Sequence, residues 1–300
     1  MTPTPRRLTA PDGVSLAVYE AGDRGAPTVV AVHGYPDNHS VWDGVADMLA
    51  PRFHVVTYDV RGAGSSDKPS PVSAYRMEHL TADLVTVLDA VSPEEPVHLV
   101  AHDWGSIQSW AALTDPRTAG RIASFTSISG PSLDYSGVWL RQVRRHPLAS
   151  LNQLRHSYYI AVFQLPGLPE RAIRSGVLDR LLARTQRGAG RAAATMGSIE
   201  RPEADKINGL SLYRANMIAR LSRPNPIPTK IPVQVIVPDA DAFVTTDLAI
   251  EAAKAWVENL STATVPGGHW VLSEQPQVIV ELVLGHIDSV DRSTTAGARR

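Results

Sequence analysis

The sequence predicts an α/β fold: a mostly parallel, doubly wound sheet flanked by helices, with a helical insertion after the fourth parallel strand. Three observations predict it. Short β-branched runs bounded by glycine or proline recur at residues 28–32, 54–60 and 97–101, with a further run at 122–128. Continuous apolar runs of this kind suit parallel strands buried on both faces. Helical spacing of apolar residues fills the intervals at 40–49, 75–91 and 106–113, and that alternation marks a doubly wound sheet. The pattern stops at residue 131 and resumes at residue 231, so the stretch between reads as one insertion into a single core.

The elements follow in order. Residues 14–20 alternate apolar and polar, as an exposed edge strand does. The strands and helices named above complete the first 130 residues. Residues 131–228 are helical in pattern and hold fifteen basic against six acidic side chains, leaving the rest of the chain acidic. Beyond them come a strand at 233–237, a helix at 247–259, a strand at 263–265 and a helix at 275–289. The expected organisation is therefore a core of residues 1–130 and 229–290, a helical cap of residues 131–228, and a polar tail, 291–300, expected to be a disordered end or linker stub.

Composition bounds the function. Of 300 residues, 43% are hydrophobic and 20% charged, which is globular composition. A formal charge of −1 gives no whole-chain basic field of the kind nucleic-acid binders use. The absence of cysteine excludes disulfides, iron–sulfur clusters, zinc–thiolate sites and a cysteine nucleophile. No apolar run approaches the roughly 20 residues of a membrane span, and the N-terminus lacks the apolar stretch of a signal peptide. The expectation is a soluble, cytoplasmic protein with no metal and no organic cofactor.

The most informative segment is Ala101-His102-Asp103-Trp104-Gly105-Ser106. A strand ends, small residues flank Asp103 at two positions on either side, and a helix begins. That is the pattern of a nucleophile elbow, where a strained strand-to-helix turn leaves no room for large neighbours. The central residue is Asp, and no Gly-x-Ser-x-Gly occurs in the chain. A carboxylate is a poor nucleophile for amides but can displace at a strained or polarised carbon, giving an alkyl ester. The competing reading of Asp103 is an ordinary helix N-cap.

Four motifs in order carry a family resemblance: His33-Gly34-Tyr35-Pro36 after an early strand, Arg61-Gly-Ala-Gly-Ser-Ser66 after the next, His102-Asp103-Trp104-Gly105, and Gly268-His269-Trp270 near the C-terminus. With them the chain resembles the epoxide hydrolases of the α/β-hydrolase superfamily over nearly its whole length. It is also similar to the N-terminal half of mycobacterial-type proteins in which such a hydrolase precedes a short-chain dehydrogenase. The resemblance implies a small-molecule or lipid-derived epoxide and water as substrates and a C-terminal dehydrogenase domain in the native chain; a homodimer is one assembly the sequence leaves open.

The roles it implies are these. Asp103 forms the ester. His269, on a Gly-Gly loop, activates the water that hydrolyses it, since histidine is the base suited to neutral pH. Asp241 orients that imidazole, with Asp239 as the competing candidate and the better turn residue. The backbone N–H groups of Tyr35 and Trp104 form the oxyanion hole; family members often carry Phe at the first position. Tyr159 and Tyr213 donate to the epoxide oxygen, with Tyr158 an alternative to Tyr159. His33, Pro36, Phe163 and Trp270 line the substrate pocket. Ala101 and Ser106 stand where the family often has glycine.

Other signals are weaker. Gly62-Ala-Gly-Ser-Ser-Asp67 resembles the start of a dinucleotide fingerprint, but it lacks the third glycine, and Pro69 and Pro71 stop the helix the fingerprint needs. His98 and His102 are four apart at the end of a strand, which sets them on one face and not around a metal, a poor arrangement for zinc. The basic insertion reads either as a solvated helical surface or as an attractor for an anionic substrate, lipid surface or partner domain. Two alternatives to the epoxide reading stand: a haloalkane dehalogenase using the same ester, and a catalytically silent binding module on the same fold.

Overall fold

The computed structural model describes residues 4–188 and 201–297. Eight strands are present: β1 (Arg6–Thr9), β2 (Ser15–Ala21), β3 (Thr28–Val32), β4 (His54–Asp59), β5 (Val97–His102), β6 (Ile122–Ile128), β7 (Val233–Pro238) and β8 (Leu260–Val265). They form one sheet in the order β1-β2-β4-β3-β5-β6-β7-β8. The β1–β2 and β2–β4 pairs are antiparallel and the rest are parallel.

The helices are α1 (Asp43–Leu49), α2 (Met77–Val91), α3 (Trp104–Ala112), α4 (Leu133–Arg141), α5 (Pro147–His156), α6 (Tyr158–Gln164), α7 (Leu168–Arg174), α8 (Val177–Gly188), α9 (Glu203–Ser222), α10 (Thr246–Lys254), α11 (Val271–Glu274) and α12 (Pro276–Gly297). The period-2 geometry of the buried strands divides the core in two. Val30, Val32 and Leu99 face the layer that holds α2, α3 and α10, while Val29, Ala31 and Val100 face α1 and α12. Strands buried on both sides are what the continuous valine-rich runs called for. Helices α4 to α9 lie between β6, the fourth parallel strand, and β7, as the sequence predicts.

Helix α9 ties this insertion to the core. Asn216 Oδ1 accepts from Met77 N at 2.9 Å and its Nδ2 donates to Tyr75 O at 2.8 Å. Gly209 lies against the Tyr35 ring, where any Cβ would collide with the ring carbons. An apolar cluster that includes Tyr35, Trp104, Leu210, Tyr213 and Met217 fills the junction.

One element is added and two expectations are corrected. Residues 6–9, which carry no alternation strong enough to notice, pair with β2 and form β1. The helix expected at 247–259 ends at Lys254, and a bridge from Val257 to Thr229 takes up the chain beyond it. The expected disordered tail does not begin at residue 291: α12 continues through Asp291 to Gly297, because Val283, Ile287 and Val290 keep its inner face on the core up to the last turns. Residues 298–300 of that tail lie outside the described residues. Among the described residues no helix is long and apolar enough to cross a membrane.

Candidate active site

The carboxyl ends of β3, β5, β7 and β8 meet at one place, where ligands of open α/β sheets bind. Asp103 follows β5 directly and has φ 51° and ψ −123°, a backbone conformation costly for any residue but glycine. The surrounding structure holds it there: Asp103 N donates to Ile128 O at 3.0 Å, and Ile107 N donates to Asp103 O at 2.9 Å. Although Asp103 stands at the N-cap position of α3, its side chain makes no capping bond. The N-cap reading is therefore set aside. The carboxylate instead turns toward the loop after β3, where Tyr35 N donates to Oδ1 at 2.7 Å. Gly34 makes this approach fit, since a Cβ there would collide with the Asp103 carboxylate.

The other carboxylate oxygen, Oδ2, lies 3.5 Å from His269 Nε2. On the far side of the imidazole, Nδ1 is 3.0 and 3.1 Å from the two oxygens of Asp241. Asp241 is itself fixed by Phe243 N and Val244 N, which donate to Oδ1 at 2.8 and 3.2 Å. Asp239 is exposed and accepts from Gly267 N at 3.0 Å, the behaviour of a turn residue. The geometry thus brings Asp103, His269 and Asp241 into one line and leaves Asp239 outside it.

Burial and charge act against each other here. Burial alone would pull His269 down, but Asp241 and Asp103 outweigh it and push the imidazole up to about 10. Burial would raise Asp241, and the neighbouring His269 holds it low. His102 is pulled down to about 4 by burial, with the facing His269 adding to the effect. Its Nε2 is 2.8 Å from His269 O, and because that oxygen only accepts, Nε2 carries the proton. His102 thus holds the loop that carries His269.

A cavity of about 340 Å³ opens onto these residues. Asp103, His269 and Tyr35 line it from the core, Tyr159 and Tyr213 from the insertion. The Tyr159 and Tyr213 rings meet edge to face with centroids 6.0 Å apart. Both hydroxyls are held well above the ordinary tyrosine range, first by burial, then by Asp103 for Tyr159 and by Tyr159 ahead of Asp103 for Tyr213. Tyr159 packs on Phe163 and Phe243 inside the pocket, whereas Tyr158 is mostly exposed at its mouth. The geometry therefore favours Tyr159 over Tyr158.

Pro36, Phe163 and Trp270 line the cavity as expected. His33 does not, and that expectation is corrected. His33 is fully buried behind the wall, with Nδ1 2.9 Å from Gly34 O and Nε2 accepting from Val60 N at 3.0 Å. It braces the loop that delivers Tyr35 N. His98 is occupied by Ser124 Oγ at 2.8 Å, apart from the cavity. Asp37, directly after the His33–Pro36 motif, carries no local signal in the sequence. It is buried and joins the loop after β3 and the loop that carries His269 to the insertion: Trp270 Nε1 donates to Oδ2 at 2.8 Å and Arg201 Nε to Oδ1 at 2.7 Å. The Arg201 guanidinium also lies 5.0 Å from the Trp270 ring centroid. Phe243, whose ring packs 4.8 Å from His269, was visible only as part of the apolar run after Asp241.

Residues 27–276 match the family model described as the alpha/beta hydrolase fold. A Mycobacterium tuberculosis protein described as a probable oxidoreductase, EphD, is 36% identical over a 300-residue alignment covering 95% of this chain and 50% of that protein. The chain thus spans about half the length of that relative. Epoxide hydrolase 4 of Mus musculus is 27% identical over 286 residues, covering 90% of this chain and 76% of that one. The crystal structure of a Bacillus megaterium epoxide hydrolase in complex with an inhibitor superposes with a TM-score of 0.78 at 22% identity, covering 94% of this chain and 100% of that chain. With its family model matched across most of its length, its sheet order and its strand-to-helix turn at Asp103, the chain belongs to the α/β-hydrolase fold family.

Proposed function

We propose that this chain hydrolyses epoxides to vicinal diols through an ester on Asp103. The observation that carries the reading is the arrangement of Asp103 between Tyr35 N on one oxygen and His269 on the other, with two tyrosine hydroxyls lining the same cavity. Oδ2 attacks a ring carbon, the carbon–oxygen bond breaks, and the electron pair stays on the epoxide oxygen, which Tyr159 and Tyr213 hydrogen-bond. At rest His269 is cationic between two carboxylates, consistent with its raised pKa. Esterification removes the charge of Asp103, so the imidazolium loses support and gives up its proton as the opened oxygen gains one. The neutral imidazole then takes a proton from water, which attacks the ester carbonyl. The resulting oxyanion sits on Oδ1, where Tyr35 N already donates and Trp104 N is the second donor. Collapse releases the diol and restores both carboxylate and imidazolium.

The tyrosines favour an epoxide over a haloalkane, because a leaving halide calls for N–H donors where these hydroxyls stand. The relatives described as epoxide hydrolases support the same choice. The length of the relative described as a probable oxidoreductase supports the expectation of a fused dehydrogenase domain, which the native reading frame tests. The reaction is tested by single-turnover hydrolysis of an epoxide in water labelled with heavy oxygen. The ester route gives a first-turnover diol without label, because its new oxygen comes from Asp103; label in that diol would mean direct attack by water and would overturn the mechanism.

A further inference from the structure

Helix α5 turns its polar side chains inward and its apolar ones outward. Ser150 and Gln153 are buried. Gln153 Oε1 accepts from Thr245 N and Thr245 Oγ1 at 2.9 and 2.8 Å, and its Nε2 donates to Phe243 O at 3.0 Å. On the other side Leu148, Leu151 and Leu154 are 81%, 52% and 56% exposed. Their three-residue spacing sets them along one side of the helix. Single exposed leucines are ordinary on a protein surface, but a row of three on a helix that buries its glutamine is an outward apolar face.

That face leads into the catalytic cavity. Four residues after Leu154 comes Tyr158, 64% exposed and also lining the cavity. Val177 and Leu181 of α8 are likewise exposed and line the cavity, and its more buried walls are apolar, including Phe163, Ile173 and Leu178. The charges along this stretch of chain have one sign, although exposed Asp247 and Glu251 lie on α10, which packs on α5. Arg144 and Arg145 just precede α5 and Arg155 lies near its end, all exposed, and no acidic residue occurs between Asp134 and Glu170.

We propose that this face docks on the surface of an anionic lipid layer. Leu148, Leu151 and Leu154 enter the acyl boundary, Arg144, Arg145 and Arg155 meet the phosphate headgroups, and the cavity mouth opens toward the lipid. A protein partner would also cover the leucines, but seated here it would close the entrance to Asp103, whereas a fluid lipid layer leaves it supplied. An apolar substrate dissolved in the layer then reaches the site without crossing bulk water. That delivery rests on the hydrolase reading; the docking does not.

The test is flotation with vesicles of phosphatidylcholine alone or mixed with phosphatidylglycerol. The wild-type chain is compared with a triple Leu148→Ser/Leu151→Ser/Leu154→Ser variant and a triple Arg144→Glu/Arg145→Glu/Arg155→Glu variant. Thermal melting and turnover of a small water-soluble epoxide serve as controls of folding. The wild type should float with the anionic vesicles and be released by salt. Each triple variant should partition about tenfold less or worse while keeping its melting temperature and its turnover of the soluble substrate. Absence of wild-type flotation, or equal flotation of either variant, overturns the proposal. If light scattering shows a wild-type dimer that the leucine variant splits, with vesicle binding unchanged, the face is an interface between copies and the lipid proposal fails. Loss of soluble-epoxide turnover in the wild type would count against the hydrolase reading alone.

Discussion

Tyr35 N and Asp103 Oδ1 are joined at 2.7 Å, and this bond divides the labour between the two carboxylate oxygens. Oδ1 is already held in the position an ester carbonyl would occupy, which leaves Oδ2, 3.5 Å from His269, as the oxygen free to attack. Under the proposed reaction the attacking carboxylate is thus oriented, and one donor to the ester oxyanion is in place, before any substrate enters.

Gly34 sets that bond, so Gly34→Ala is expected to break it. The added methyl would push into the Asp103 carboxylate and displace it from Tyr35 N. Losing one oxyanion donor costs about 10²–10³-fold in kcat. Steady-state kinetics with a thermal melt as control check this, and a kcat within about threefold of wild type would contradict the assigned hole.

The tyrosine pair should act on ring opening. Tyr159→Phe and Tyr213→Phe are each expected to slow esterification by about 10²-fold, while Tyr158→Phe stays close to wild type. Stopped-flow measurement of the ester-forming step separates the three. Equal sensitivity at Tyr158 and Tyr159 would undo the choice between them.

The charge state of His269 should follow its two carboxylates. Its pKa, raised to about 10, should fall in both Asp103→Asn and Asp241→Asn, and further in the latter, because Asp241 contributes the larger share. Histidine NMR titration reads this directly. The sign for stability follows. A histidine whose folded pKa is raised stabilises the fold fully below its ordinary value near 6.5 and loses that contribution as pH rises toward 10. Wild-type melting temperature should therefore decline across that window more than that of His269→Gln. Buried His102, pulled down to about 4, acts oppositely: it costs stability as pH falls from about 6.5 toward 4.

Asp37 should matter for stability as well as for activity. Asp37→Ala removes the acceptor of both Trp270 Nε1 and Arg201 Nε inside a buried site. Stranding a buried donor and a partly buried cation together costs about 2–3 kcal/mol. Urea unfolding measures it, and a loss below about 1 kcal/mol would show that the bridge carries little.

Much of this was legible in the sequence, for physical reasons. Valine-rich runs announce doubly buried strands, and β3 and β6 begin and end where their patterns do. The elbow announces itself because a strained turn admits only small neighbours, and Asp103 is found at positive φ. What the sequence hid were relations across space. Asp37 meets Trp270 and Arg201 over more than 160 positions of chain, and no local pattern encodes that. His33 looked like a pocket residue because its motif neighbours are, but its ring turns back to brace Val60 N and its own loop. The edge strand β1 has one partner and a largely exposed surface, so hydrophobic periodicity could not mark it. The outward leucines of α5 were equally unreadable, since apolar spacing alone does not say which face of a helix is buried.

The central claim is that Asp103 carries the substrate as an ester and His269 releases it. The most direct measurement is intact-protein mass spectrometry of His269→Gln incubated with panels of epoxides and haloalkanes. Without the base the ester should accumulate, so the account predicts a mass gain equal to a whole epoxide, localised to Asp103 and absent in Asp103→Asn. A gain short by the halogen, seen with haloalkanes and not with epoxides, or no adduct from either panel while the wild type turns an epoxide over, would contradict it.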